Sequence, residues 1–279
     1  MVPLNNYLKK FKKVLFHKLL VSSGFPKLNI LIAKKIQLPT DHNIDKNKLN
    51  NYLILIDFIE GWFLKEAAEF FLWVDYIQKK NDISGNIFEA GTYQGKSAIL
   101  LALMVNTNKE RFAICDDFDN KKNKIPVKQL FLKNLKSFFK DISFTEIHSK
   151  ASSQLNSEEC NNIRFFHIDG GHSAEETYQD LQLASESIIE SGIIAIDDLF
   201  NEFWPGVMEG VYKFLTSNKE IVPLSIGFNK LLLCKKSKQN WYIEQMNQNN
   251  WKNYITNKDI VSSKDYLLGN KILILGKPR

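Results

Sequence analysis

Residues 86–97 read Asn-Ile-Phe-Glu-Ala-Gly-Thr-Tyr-Gln-Gly-Lys-Ser, and this stretch decides the fold of the 279-residue chain. Asn86–Ala90 is a short apolar run typical of a buried strand, and a helical pattern begins after the two glycines. Glycines at such a turn let the backbone bend sharply and bring N–H groups close to a ligand at the positive end of the helix. The stretch predicts a strand, a ligand-binding loop and a helix, with a purely structural turn as the alternative.

Three ligand classes compete for this loop. The dinucleotide fingerprint G-x-G-x-x-G fails, because Tyr93 stands where its middle glycine should be. The phosphate loop G-x-x-x-x-G-K-[ST] nearly fits at residues 95–97, but Ala90 replaces its first glycine. Glu89 favours a third class, because a desolvated carboxylate would repel a triphosphate. It suits a ligand with an ammonium group, such as the methionine moiety of S-adenosylmethionine.

The chain beyond the loop alternates short apolar runs rich in β-branched residues with helical patterns. The runs are Arg111–Cys115, Ser143–Ile147, Arg164–Ile168 and Gly192–Ile196. This alternation predicts an α/β fold with a doubly wound, mostly parallel, Rossmann-like sheet. Two later extended runs, Val222–Phe228 and Lys230–Lys235, predict an antiparallel hairpin at the sheet edge.

Three segments follow from these patterns. Residues 1–51 form a basic amphipathic N-terminal arm, in which apolar residues recur every three or four positions at Leu4, Leu8, Phe11, Leu15 and Leu19. Residues 52–236 form the α/β domain with a lead-in helix over 53–80, and residues 237–279 form a C-terminal appendage. The arm fits docking on the core, on a second subunit in a homo-oligomer, or on an anionic membrane surface as a peripheral contact.

Charge is divided unevenly along the chain. The whole chain has 37 Lys+Arg against 31 Asp+Glu, yet residues 1–36 hold eight lysines and no acid, which leaves the remainder at −2. The body therefore lacks the positive stripe of a nucleic-acid-binding protein. Cys115, Cys160 and Cys234 are far apart without metal-binding spacing, and no signal peptide or membrane span is apparent. We therefore expect a cytoplasmic protein.

Acidic residues follow several of the predicted strands. Asp116 stands about 25 residues beyond the glycine loop at the end of the second strand, where an acid can accept both ribose hydroxyls. Asp117 is the alternative, and a solvated loop acid is the plain interpretation.

Asp169, Asp197 and Asp198 follow the fourth and fifth strands, whose ends meet at one edge of a parallel sheet. Three converging carboxylates need protons or a cation, and oxygen ligands favour Mg²⁺ or another divalent ion. Such an ion would hold a substrate hydroxyl and lower its pKa. His172 would take the proton of that hydroxyl, act as a further ligand, or be an ordinary loop histidine.

Together these motifs resemble the class I S-adenosylmethionine-dependent methyltransferases. The branch that they resemble includes the macrocin-type and rhamnosyl sugar O-methyltransferases and the cephalosporin-hydroxylase-like proteins. The matching pieces are residues 89–97, 168–172 with Asp180, 192–198, Trp204–Val207 and Glu60–Trp62.

The resemblance implies a seven-stranded sheet with an antiparallel last strand, and a cofactor over the first two strands. It implies S-adenosylmethionine contacts from Glu89, Gly91, Thr92, Tyr93, Gly95, Ser97, Asp116 or Asp117, Ala151, Ser152 and Asp169.

The expected reaction is methyl transfer to a hydroxyl of a sugar, glycoside or secondary metabolite. Asp169 and His172 would be catalytic, and Asp169, Asp197 and Asp198 would hold the metal. Two alternatives stay open. The end of the fifth strand also resembles the Mg²⁺-holding strand of phosphate-loop nucleotide hydrolases, and a methyltransferase fold can also serve as a non-catalytic binding protein.

Overall fold

The structure, a computed structural model, describes residues 38–39, 42–119 and 125–278. Residues 1–37 of the predicted basic arm, which include its amphipathic pattern, lie outside the described residues, and residues 46–51 of it belong to the first helix. The helices are α1 (Lys46–Leu55), α2 (Lys65–Lys80), α3 (Lys96–Met104), α4 (Val127–Phe138), α5 (Ala174–Ser187), α6 (Pro205–Ser217) and α7 (Lys236–Gln248). The strands are β1 (Asn86–Ala90), β2 (Phe112–Cys115), β3 (Thr145–His148), β4 (Ile163–Ile168), β5 (Ile188–Asp197), β6 (Ile221–Gly227), β7 (Lys230–Lys235), β8 (Val261–Leu267) and β9 (Asn270–Gly276).

The strands form one sheet in the order β3-β2-β1-β4-β5-β7-β6-β9-β8. Strands β3, β2, β1, β4 and β5 are parallel, and β7 joins β5 in the antiparallel direction. The predicted Rossmann-like, mostly parallel fold is therefore confirmed. From β1 the chain adds β2 and β3 on one side, and then crosses to add β4 and β5 on the other side. Ligands bind at such a switch point in open α/β sheets, here at the end of β1.

The sheet of the described chain has nine strands rather than the seven implied by the family resemblance. The β6–β7 hairpin consequently lies inside the sheet and not at its edge. Its outer strand β6 pairs in parallel with β9 at Ser225–Gly227, and β8 then pairs with β9. The apolar run Ile272–Leu275 explains the extension, because Ile272, Leu273 and Leu275 are buried against the sheet.

Both faces of the sheet are covered, as the continuous apolar strands require. Neighbouring residues of β4 show the division, since Phe165 packs with α2 and α3 on one face and Phe166 packs with α5 and α6 on the other. Helices α1, α4 and α7 also contribute to the first face. The central strands are thereby held rigidly between two cores, and their carboxyl ends become a fixed platform for a site.

The predicted helix over 53–80 is divided in the structure. Helix α1 ends at Leu55, a 3₁₀ turn covers Ile56–Phe58, and α2 begins at Lys65. Gly61 lies in the intervening loop with a φ of +143°, and its carbonyl oxygen accepts a hydrogen bond from Lys96 Nζ at 3.0 Å. This break brings residues 60–62 over the start of α3, beside the glycine loop.

A buried ion cluster ties α2 to the sheet. Arg164, which is fully buried on β4, contacts Asp75 at 2.9 Å and Glu110 at 2.8 Å. Arg164 also donates to Gln78 Oε1 at 2.9 Å, so the guanidinium is bonded on several sides. Such pairing offsets the cost of burying the charges and fixes the position of α2.

Among the described residues, no helix combines the length and the apolar character that crossing a membrane requires. Cys115, Cys160 and Cys234 are all buried and free.

Candidate active site

A cleft of about 1320 Å³ opens at the carboxyl ends of β1, β2, β4 and β5. Twelve of the fourteen predicted site residues line it: Gly91, Thr92, Tyr93, Ser97, Asp116, Asp117, Ala151, Ser152, Asp169, His172, Asp197 and Asp198. The other two, Glu89 and Gly95, are not among the lining residues. The sequence motifs thus converge on one cavity of the size that holds a cofactor and a small acceptor.

Gly91 places the loop against the end of β4. Its φ is +79°, and a Cβ atom there would lie 2.0 Å from the backbone oxygen of Asp169. The approach is fixed on both sides, because Gly91 N donates to Cys115 O at 2.9 Å and Asp169 N donates to Ala90 O at 2.8 Å. Only glycine fits this contact and this backbone conformation.

Gly95 also has a packing role. It caps the amino end of α3 with a φ of +88°, and a Cβ atom there would lie 2.8 Å from Phe131 on α4. Gly95 therefore allows close packing of α3 against α4 beneath the loop.

Asp116 holds the glycine loop in shape. Its Oδ2 accepts hydrogen bonds from Thr92 N and Tyr93 N, each at 2.7 Å, and its Oδ1 accepts from Phe118 N at 2.6 Å. Oδ2 thus accepts two hydrogen bonds already, whereas Oδ1 keeps acceptor capacity for a ligand hydroxyl. Asp117 is exposed and accepts from Asp119 N at 2.9 Å, so both candidate ribose ligands face the cleft.

Glu89 is a buried carboxylate beneath the loop. Its Oε1 lies 2.9 Å from His167 Nδ1, whereas its Oε2 has no hydrogen-bond partner among the described residues. Burial raises the pKa of Glu89 to about 8, although the nearby Ser97 and Thr92 hydroxyls lower it. Burial and the Lys230 charge lower the pKa of His167 to about 3. The pair therefore contains a neutral histidine and an acid with an unused oxygen, which is costly without a ligand.

Lys230 is a site residue that the sequence reasoning missed. It is 2% exposed at the start of β7, and its Nζ forms an ion pair with Asp197 Oδ2. Antiparallel pairing of β5 with β7 sets Lys230 directly opposite Asp197. Of the three predicted carboxylates, Asp197 is therefore already paired with a lysine side chain. The prediction of a metal site did not include this pairing.

Asp198 forms the outer part of the acidic group. It lies 3.2 Å from His172 Nε2 and accepts hydrogen bonds from Asn201 at 2.8 Å and Asn229 at 2.6 Å. Burial would raise the pKa of Asp198, but the hydrogen bonds from His172, Asn201 and Asn229 outweigh it and lower the pKa to about 2. Trp204 stacks on the His172 ring with centroids 4.3 Å apart, which fixes the imidazole.

Asp169 lies between the two parts of the acidic group. Burial, followed by the charge of Asp197, raises the pKa of Asp169 well above its ordinary value. Within the described chain, two sets of side chains have ligand atoms within 4.8 Å of one another: His167, Asp169 and Asp197, and Asp169, His172 and Asp198. The predicted trio of aspartates is thus divided between two sets that share Asp169.

Ala151 and Ser152 line the cleft shortly after β3. The Ser152 hydroxyl donates to Asp180, which is 2% exposed, and burial raises the pKa of Asp180 to about 6. Asp180 Oδ2 has no hydrogen-bond partner among the described residues. Asp180 belongs to the sequence motif that begins at residue 168, but no role for it was predicted.

Aromatic side chains at the mouth were also missed. Trp62 is 88% exposed and stacks on Tyr93 with centroids 6.0 Å apart. Phe203 and Trp204 are also exposed and line the cleft. The sequence did not reveal them, because an exposed aromatic residue indicates a binding site only when its loop is known to face that site.

Comparison with known proteins agrees with this geometry. Residues 88–199 match a family model described as a methyltransferase domain, and no curated protein matches the chain. The solved O-methyltransferase NovP is 12% identical, with a TM-score of 0.52 over 61% of this chain and 80% of that one.

Two further solved structures are similar to the chain. The methyltransferase PaMTH1 of Podospora anserina, solved with S-adenosylhomocysteine (SAH) bound, is 12% identical over 85% of this chain and 98% of that one, with a TM-score of 0.50. CalS11, a TDP-rhamnose 3'-O-methyltransferase of calicheamicin biosynthesis, is 17% identical over 81% of this chain and 93% of that one, with a TM-score of 0.49. Residues 88–199 therefore match a methyltransferase domain in sequence, and the chain shares its fold with solved methyltransferases.

Proposed function

We propose that the protein transfers the methyl group of S-adenosylmethionine to a hydroxyl of a small molecule or glycan. The observation that carries the proposal is the buried Glu89 carboxylate, whose Oε2 has no hydrogen-bond partner among the described residues. An ammonium group of the ligand would supply the missing partner and the positive charge that favours the ionised acid.

The remaining donor contacts follow from the loop. Gly91 permits close approach of the backbone, and Asp116 and Asp117 offer carboxylate oxygens to the ribose. Ala151 and Ser152 line the cleft shortly after β3, where the adenine would lie. A sulfonium ion between these groups would direct its methyl group toward Asp169 and His172, where the acceptor hydroxyl would bind.

His172 is the proposed base for the acceptor hydroxyl. Its ring faces the cleft, is stacked on Trp204, and is held 3.2 Å from Asp198 Oδ2. The carboxylate stabilises the imidazolium that forms when His172 takes the hydroxyl proton. Holding the hydroxyl in line with the methyl–sulfur bond contributes the rest of the acceleration.

The proposed metal site leaves out one of the three ligands that the sequence predicted. Asp169, His172 and Asp198 fit a divalent cation, whereas Asp197 is already neutralised by Lys230. Such an ion would supply Lewis-acid polarisation of the acceptor hydroxyl. His172 cannot hold a cation through Nε2 and accept a proton there at the same time. Turnover that survives chelator but is lost in His172→Asn would assign the base role, and loss with chelator together with Mn²⁺ binding would assign the ligand role.

Calorimetry with SAH, S-adenosylmethionine and ATP tests the whole proposal. We expect both adenosyl compounds to bind and ATP not to bind, since a triphosphate would bring its negative charge against the carboxylates that line the cleft. ATP binding without SAH binding would favour the nucleotide hydrolase. Binding of neither ligand would favour a non-catalytic binding protein.

A further inference from the structure

We infer that the acceptor is an uncharged or cationic hydroxyl compound with a flat apolar face, such as a glycoside, and that the cleft rejects phosphorylated and nucleotide-activated sugars. This inference rests on the proposed function and adds a substrate class to it. It is carried by two independent features of the cleft, its charge and its aromatic mouth.

The charge of the cleft is strongly negative among the described residues. Nine carboxylate side chains line it against three lysines and no arginine. These acids lie on both the donor side and the acceptor side, for example at Asp117 and Glu176. A phosphorylated acceptor would bring further negative charge into a partly desolvated cavity, where repulsion is weakly screened.

All three lysines of the lining are already engaged. Lys230 Nζ is paired with Asp197, Lys65 Nζ lies 3.7 Å from Glu69 Oε1, and Lys96 Nζ donates to the carbonyl oxygen of Gly61 at 3.0 Å. A phosphate group would have to share one of these lysines with its present partner. A divalent ion at Asp169, His172 and Asp198 would offset two charges and still leave the cleft negative.

The aromatic mouth offers the flat surfaces that a neutral acceptor would use. Phe203 is 76% exposed and lines the cleft, Trp204 is 44% exposed and stacks on His172, and Trp62 stacks on Tyr93 of the glycine loop. Exposed aromatic faces bind the apolar faces of sugar rings and aromatic aglycones, and also attract cations. The acceptor hydroxyl would then point toward His172 and Asp198 while the rest of the molecule lies against these rings.

The test compares matched pairs of compounds on the full-length protein saturated with SAH. Each pair consists of a p-nitrophenyl glycoside and the thymidine-diphosphate form of the same sugar, and binding is followed by quenching of tryptophan fluorescence. We expect glycosides to bind at least about tenfold more tightly than their nucleotide partners. Raising NaCl from about 0.05 M to about 0.5 M should narrow the difference, since screening weakens the repulsion. Methyl transfer from labelled S-adenosylmethionine should show the same order.

A comparison of Phe203→Leu with Phe200→Leu measures how much an aromatic ring in the cleft contributes to acceptor binding. Both are exposed phenylalanines of one loop, but only Phe203 lines the cleft. We expect Phe203→Leu to weaken glycoside binding by about 3- to 10-fold, and Phe200→Leu to leave it unchanged.

The inference is overturned if a nucleotide sugar binds or is methylated better than its glycoside partner. It is also overturned if SAH binds but no glycoside does. Failure of SAH itself to bind would instead overturn the proposed function.

Discussion

Lys230 alters the electrostatics of the cleft because it places a permanent positive charge against Asp197. Both side chains are almost wholly buried, and Lys230 Nζ also lies 5.0 Å from the centre of the Phe63 ring. Removing the ammonium would leave the Asp197 carboxylate buried beside Asp169 with no ion-pair partner among the described residues. Lys230 is therefore expected to stabilise the fold as well as to set the charge of the site.

The first prediction concerns Lys230→Met, which keeps the length of the side chain but removes its charge. We expect the free energy of unfolding at pH 7 to fall by about 3–5 kcal/mol, because breaking one side of a buried pair leaves an uncompensated charge. Urea denaturation followed by circular dichroism measures the change. The double variant Lys230→Met/Asp197→Asn should recover part of the loss.

Lys213→Met is the matched control for this experiment. Lys213 pairs with Glu209 on α6, but both side chains are 57% exposed. The loss should then be below about 1 kcal/mol. Equal effects of the two substitutions would show that burial of the Lys230 pair has no energetic consequence.

The second prediction concerns the pH dependence that Glu89 gives to cofactor binding. Because the pKa of Glu89 is about 8, Glu89 is largely protonated below that pH in the free protein. A ligand that binds through its ammonium group must displace this proton. The affinity for SAH should therefore rise between pH 6 and pH 8, by up to about tenfold per unit. Calorimetry at each pH measures it. Glu89→Gln should weaken binding and flatten the profile.

Glu66→Gln provides the control for the pH series. Glu66 also lines the cleft, but although burial would raise its pKa, a hydrogen bond from Asn257 outweighs this and lowers the pKa. It stays ionised over the whole range, so its substitution should keep the slope of the unaltered protein. A flat profile in the unaltered protein would exclude Glu89 as the partner of the ammonium group.

At the scale of elements, the glycine loop between β1 and α3 depends on one close contact. The third prediction compares Gly91→Ala with Gly269→Ala, since both glycines have positive φ, +79° and +76°. A Cβ atom at Gly91 would lie 2.0 Å from Asp169 O, whereas nothing lies within 4 Å of one at Gly269. We expect about 1–2 kcal/mol of destabilisation at Gly269 from backbone strain alone.

Gly91→Ala should cost more than Gly269→Ala, and it should also lower SAH affinity at least about tenfold, because β4 and the loop must separate. Thermal unfolding and calorimetry measure the two effects. If the two substitutions had the same effect on stability and neither changed SAH binding, the contact with Asp169 would have no part in forming the site.

The sequence predicted elements best where a motif is local. Residues 89–97 are contiguous, so strand, loop and helix, together with the acid and the glycines, were readable without tertiary information. Lys230 was not readable in the same way, because its partner Asp197 depends on the register between β5 and β7. The break of the predicted helix at residues 56–64 likewise depends on packing over α3, through the contact of Lys96 with Gly61.

At the scale of the whole molecule, the structure joins the C-terminal residues to the core more closely than their polar composition suggests. Trp73 on α2 donates from Nε1 to Asn249 O at 2.8 Å, and Thr256 N donates to Glu69 Oε2 at 2.9 Å. These contacts span more than 170 positions of the chain, a distance over which sequence patterns carry no pairing information.

The fourth prediction concerns the basic N-terminal segment. The donor contacts proposed above all belong to residues 89–169, so deleting residues 1–37 should leave SAH affinity unchanged. Calorimetry on the truncated and full chains makes the comparison. Weaker SAH binding in the truncated chain would mean that the segment contributes to the donor site.

The fifth prediction tests whether β9 belongs to the same cooperative unit as the cofactor loop. Leu275 on β9 is 2% exposed, and the β9 backbone pairs with β6 at residues 273–275. Leu275→Ala should lower the free energy of unfolding of the whole protein by about 2–5 kcal/mol. Leu268 lies in a turn and is 46% exposed, so Leu268→Ala should change the free energy of unfolding by less than about 0.5 kcal/mol. Urea denaturation followed by circular dichroism and by tryptophan fluorescence should give coincident transitions in both variants, with and without SAH. Two separate transitions, with the SAH-stabilised one unaffected by Leu275→Ala, would show that the C-terminal strands fold independently of the methyltransferase domain.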